Sequence, residues 1–198
     1  MVRLLTLSGC CCLFLSVGCV TIGLNGRPGH WPAVVRNPSA SQFSGTYSTT
    51  PVEVSGNGGE TSDKSANLTV FLTGDKKAFK ASTCGIVENR GALTYEFKNE
   101  SGVVSKSSIR SKPHNGHLPI GRRSERVIDP LANGVSNSRY YLYAAEDGSL
   151  IGLRKGVGVG LVLGVVPAAG TDKVWMLWKS SDGGKPPTPL PSNVPAGR

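Results

Sequence analysis

Leu93-Thr94-Tyr95-Glu96-Phe97-Lys98 is the stretch on which the fold class turns. Extended backbone points successive side chains to opposite sides, so Leu93, Tyr95 and Phe97 share one face and Thr94, Glu96 and Lys98 the other. A segment that is apolar on one side and polar on the other is a half-buried antiparallel strand.

Working outward, alternation or short apolar runs predict further strands over residues 45–54, 67–72, 78–82, 126–128, 139–145, 150–155, 157–166 and 174–179. Turn chemistry separates them at Asn57-Gly58-Gly59, Gly74-Asp75, Asn89-Arg90-Gly91, Asn133-Gly134 and Asp147-Gly148. No window carries helical amphipathicity. The expectation is a mostly β domain, a small antiparallel β-barrel or β-sandwich of about eight strands. Closure would hide the edges that an open sheet leaves.

Composition divides the 198 residues into four parts. Residues 1–18 have one charge, Arg3, ahead of an apolar stretch diluted by small residues, the order of an export signal and short for a membrane span. Residues 19–42 hold Gly23, Gly26, Pro28, Gly29, Pro32 and Pro38 with no sustained period and read as a tether. Trp31 within it suits either a headgroup interface or packing on the domain. Residues 43–179 form the β domain, and 180–198, with Lys185-Pro186-Pro187-Thr188-Pro189-Leu190-Pro191, form a proline-rich tail that cannot bury a core.

The apolar segment ends in Leu15-Ser16-Val17-Gly18-Cys19, which resembles a bacterial lipobox. That resemblance implies cleavage before Cys19 and acylation of its thiol, and anchoring through several acyl chains is effectively stable. Because Val20 rather than Asp follows the cysteine, it also implies the periplasmic face of the outer membrane. Cys10, Cys11 and Cys12 would leave with the signal, so Cys84 remains as a lone thiol, a small buried hydrophobe rather than half of an internal disulfide.

The chain is basic, with formal charge +9 and a pI near 9.5, so a partner selected by charge is anionic. Lys106, Arg110, Lys112, Arg122, Arg123 and Arg126 concentrate that charge, opposed only by Glu125, in a stretch whose Ser, Gly and Pro content reads as loop. Lipopolysaccharide, anionic phospholipid, peptidoglycan or an envelope protein are the expected partners. Nucleic acid is excluded by compartment.

Motifs for chemistry are sparse. Gly156-Val157-Gly158-Val159-Gly160 lacks the third glycine and the following helix of a phosphate loop, and reads as a strand with one bare face that lets an aromatic ring or backbone approach. His114 and His117 flank an Asn-Gly turn without a third ligand, so no metal is expected. Carboxylates are scattered, no serine stands in a nucleophile motif, and neither a catalytic centre nor a cofactor is expected.

Gly45-Thr46-Tyr47, Leu68 to Gly74, Asp147-Gly148-Ser149-Leu150, Gly158 to Leu163, Val166-Pro167 and Trp175 to Trp178 together resemble small uncharacterised proteobacterial lipoproteins, a resemblance that brings no activity with it. Gly45-Thr46-Tyr47 is also similar to the Gly-x-Trp that opens lipocalins, with Tyr47 in place of Trp. Three readings follow: a non-catalytic envelope lipoprotein with a basic face, a lipocalin-like carrier of an apolar ligand, and an envelope hydrolase or inhibitor. The last fits least, since a basic chain is badly matched to basic lysozymes.

Overall fold

A computed structural model describes residues 26–56, 64–75, 79–89, 91–129, 132–162 and 166–183. The export signal, Cys19, the Asn57-Gly58-Gly59 turn and the tail beyond residue 183 lie outside them. The described residues are mostly β, in two antiparallel sheets that face one another as a sandwich. One sheet holds β1 (Gly45–Ser48), β3 (Thr83–Asn89), β4 (Ala92–Asn99) and β5 (Gly102–Ile109), in the order β1-β3-β4-β5. The other holds β2 (Glu53–Gly56), β6 (Leu118–Asp129), β7 (Ala132–Ala144), β8 (Leu150–Val162) and β9 (Val166–Trp178), in the order β2-β9-β8-β7-β6. Among the described residues the sheets do not close into a barrel, so of the two expected architectures the sandwich is formed. The space between the sheets is filled by Phe43, Tyr47, Tyr95, Phe97, Leu118, Leu142, Leu150 and Trp178, each at most 2% exposed.

The decisive segment behaves as its alternation requires. Leu93, Tyr95 and Phe97 of β4 are buried in the core, while Thr94 and Glu96 are only half covered and Lys98 is exposed. Cys84 faces them from β3, fully buried, and burial pushes its thiol pKa up.

Several expectations need correction. The strand predicted over residues 45–54 is two strands, one in each sheet. Pro51 and the Thr49 hydroxyl, which donates to Ala81 O at 2.6 Å, hold the crossing between them. The run at 67–72 is not a strand but helix α1 (Leu68–Thr73). Asn67 caps it by accepting from Thr69 N, Gly74 ends it in the left-handed region at φ 78°, and every residue from Leu68 to Leu72 is buried. A helix apolar on all sides carries no amphipathic period, so its sequence cannot be told from a buried strand. Of the strand expected over 78–82, the described residues 79–82 form none; β3 begins at Thr83. Asn133-Gly134, expected at a turn, lies inside β7 opposite Leu161 and Gly160 of β8. The segment expected as tether is, from residue 26 onward, laid against the long sheet: Trp31 is 4% exposed, and Val34 bridges to Ala145.

The four strands β6 to β9 decide what surface the molecule offers. Each is twelve or thirteen residues long, and only the half nearer the Asp147-Gly148 turn is covered by the other sheet and α1. Gly152 of β8 lies under the Trp178 ring, where a Cβ would stand 2.6 Å from the ring carbons. On the bare face read from sequence at Gly156 to Gly160, a Cβ would instead meet the Asp172 carboxylate at Gly156 and the β7 backbone at Gly160, so that face admits a carboxylate and backbone rather than an aromatic ring. In the other half of these strands, Gly134 and Gly160 oppose each other so closely that a Cβ on either would overlap the other strand's carbonyl.

Candidate functional site

Residues opposite one another in an antiparallel ladder point to the same face, so the register of β6 to β9 can be read as rows running across the sheet. On the outer face, away from the sandwich core, the first rows are apolar and aromatic. Ile151, Tyr143 and Leu177 are covered by Trp31, and Tyr141, Leu153 and Trp175 come next. His117, placed by the Asn115-Gly116 turn between paired His114 and His117, sets its ring 4.9 Å from Tyr141 and 5.6 Å from Tyr143.

One row further on, Arg122 opposes Arg139, Arg139 opposes Lys155, and Lys155 opposes Lys173. Four adjacent strands thus put four cations side by side in one line. Arg122, Arg139 and Lys155 are exposed and Lys173 is half-exposed. Lys155 lies 5.3 Å from the Tyr141 ring centroid, and no ion pair between a carboxylate and any of the four is present among the described residues. The flanking rows contain no carboxylate: Tyr141, Leu153 and Trp175 on one side, Ser124, Asn137, Val157 and Thr171 on the other. Like charges directly opposite across strands destabilise a sheet, so repulsion along this line works against folding. Beyond it come Arg126, Val135, Val159 and Ala169, then Asn133, Leu161 and Pro167.

The basic residues singled out from sequence do not form one loop patch. Lys106 on β5 and Arg110 just after it lie on the outer face of the four-stranded sheet, the opposite side of the sandwich. Lys112 is exposed in the connection to β6. Arg122 and Arg126 stand on the outer face of β6, a strand where a loop was expected. Arg123, one residue away, turns inward: it donates to Val70 O at 2.9 Å and Phe71 O at 2.7 Å, and its guanidinium lies 4.2 Å from the Tyr140 ring centroid. It neutralises the carbonyl end of α1 and belongs to the fold. Arg139, Lys155 and Lys173 were missed because each sits at or beside the end of a predicted strand. A hairpin register counted back from Asp147-Gly148 would have set Arg139 against Lys155. Cys19 lies outside the described residues.

Inside the long sheet, Arg154 pairs with Asp172 at 3.1 Å and donates to Ser65 Oγ, beside Glu125, Ser136, Ser138 and Tyr140 in a polar recess of about 220 Å³. Its charges are balanced and its arginines already committed, so the exposed cation row is the stronger candidate. Compared with known proteins, the chain matches no family model, and no curated protein or solved structure is significantly similar to it.

Proposed function

We propose that this protein is a non-catalytic, lipid-anchored envelope lipoprotein that docks on an anionic membrane surface through the outer face of β6 to β9. The observation that supports this is the row Arg122, Arg139, Lys155 and Lys173, four cations placed in register with no ion-paired carboxylate among the described residues. A linear array of exposed cations presents a surface potential that anionic headgroups neutralise, at about 1 kcal/mol per basic residue near the membrane. The path of the chain agrees with it. Trp31 and its neighbours lie on this same outer face, and the seven steps of chain from Cys19 to Gly26 reach at most about 25 Å. An acyl anchor at Cys19, on the periplasmic side of the outer membrane, would hold this face toward the leaflet that carries it.

The test is co-sedimentation of an unanchored chain starting at residue 20 with vesicles of phosphatidylcholine and phosphatidylglycerol. Binding is expected to fall steeply between low and high salt. Arg139→Glu with Lys155→Glu changes the row by four charges and should weaken binding by roughly a thousandfold, whereas Lys106→Glu with Arg110→Glu should change it by less than about tenfold. Binding that is indifferent to the Arg139 and Lys155 reversal would overturn the proposal.

A further inference from the structure

On the inner side of the long sheet, where β6 to β9 run past the core, the polar recess of about 220 Å³ lies against α1. The ladder register builds it in two rows. Arg123, Ser138, Gly156 and Asp172 stand opposite one another, and Glu125, Ser136, Gly158 and Gly170 come next. Its floor is bare backbone: a Cβ on Gly158 or Gly170 would meet nothing within 4 Å, so the space above both is open. Arg154 donates through its Nη atoms to Ser65 and Asp172, but its Nε, sealed from solvent, has no acceptor among the described residues. Glu125, Ser136 and Ser138 line the recess without a side-chain hydrogen bond or ion pair among the described residues. Buried donors are rarely left without an acceptor, and three further unengaged polar groups converge beside this one.

We propose that this recess binds a single uncharged sugar ring. The cation row is on the opposite face of the sheet, so the inference does not depend on the docking reading. Charge selects against ions. Arg123 and Arg154 repel a cation, Glu125 and Asp172 repel an anion, and a neutral guest meets neither penalty. Hydroxyl groups suit the side chains on offer: a carboxylate only accepts, Nε only donates, serines do either, and a sugar hydroxyl can pair with any of them. The glycine floor lets a flat ring lie close against backbone. Size limits the guest to one ring, because the recess is smaller than the roughly 300 Å³ at which sites for drug-sized ligands begin.

The full chain, held in a detergent without a sugar headgroup, can be tested by saturation-transfer NMR. The probes are methyl glucoside, methyl galactoside and N-acetylglucosamine as neutral rings, glucosamine as a cation and glucose 6-phosphate as an anion. Transfer to at least one neutral ring is expected, and it should exceed transfer to either charged ring. Gly158→Leu fills the open space above the floor without a clash and should abolish it, with the thermal melt and vesicle binding unchanged. Glu125→Gln, at an exposed position, should weaken affinity by about tenfold. Chitotriose bound more tightly than N-acetylglucosamine would assign the supporting result to a glycan chain, and equal affinity to a free sugar. No transfer to any neutral ring, transfer that survives both Gly158→Leu and Glu125→Gln, or stronger transfer to a charged ring would each overturn the inference, and none of these would touch the docking reading, which rests on vesicle binding.

Discussion

The outer faces of the two sheets carry charge by opposite rules. On the four-stranded sheet Glu96 of β4 stands opposite Lys106 of β5 and 3.0 Å from Lys98, and the hydrogen bond from Lys98 holds its carboxyl below the usual carboxylate range. Cation faces anion, as cross-strand pairing favours. On the five-stranded sheet Arg122, Arg139, Lys155 and Lys173 face one another in a line. One protein thus contains its own control. The first face is arranged for the stability of the sheet. The second sets like charges opposite one another at equivalent positions, which works against the stability of the sheet.

The sharpest way to break this contrast is to ask whether all basic residues of β6 act alike. Arg123 is adjacent to Arg122 in sequence, yet its two hydrogen bonds go to the carbonyl end of α1. Arg123→Ala leaves Val70 O and Phe71 O without that donor and should cost about 2 kcal/mol in denaturant-unfolding stability, with vesicle binding of the folded protein nearly unchanged. Arg122→Ala should do the reverse. If both variants weakened binding equally, Arg123 would belong to the outer face and the distinction between structural and docking arginines would fail.

How far the sequence carries these distinctions depends on the element. Strand β4 was legible because one of its faces is buried and the other wet, which writes a period of two into Leu93 to Lys98. Helix α1 was not, since Leu68 to Leu72 are buried all round and no period survives. Strand β5 and most of β6 were hidden for the opposite reason. β5 exposes Val103 and Val104 and turns Ser105 and Ser107 inward, and β6 carries charged residues on both faces at Arg122, Arg123 and Glu125, so neither writes a period of two. The basic character of the region was plain from composition, but the row itself depends on register. Arg122, Arg139, Lys155 and Lys173 are far apart in sequence and meet only when three hairpins are paired.

A smaller effect sharpens the comparison from the stability side. Removing one member of a like-charge row relieves repulsion, so Lys155→Gln should raise stability by a few tenths of a kcal/mol while weakening vesicle binding about fivefold. Glu96→Gln on the other sheet should lower stability instead, because there the charge has a partner. Opposite signs in paired thermal melts are the expected result. A loss of stability in Lys155→Gln would mean that the contact with Tyr141 outweighs the repulsion, and the row would then be part of the fold.

The smallest effect concerns the strap that brings the N-terminal segment onto the outer face of the long sheet. Glu53 of β2 accepts from the His30 ring at 3.0 Å, and that hydrogen bond lowers its carboxyl below the ordinary value of 4.5. A carboxylate whose folded value is depressed adds its stabilisation above the ordinary value and loses it as pH falls through the lower, folded one. The strap should therefore be intact near neutral pH and loosen only in acid below about pH 4.5, a local change read from the Trp31 indole resonance. Glu53→Gln should show the loosened resonance at neutral pH and no further acid transition. Since Glu53 is exposed, global stability should barely move, and the change should stay confined to the residues around Trp31. An acid transition that persisted in Glu53→Gln would assign the strap to the packing of Trp31 on Ile151 and Leu177 instead.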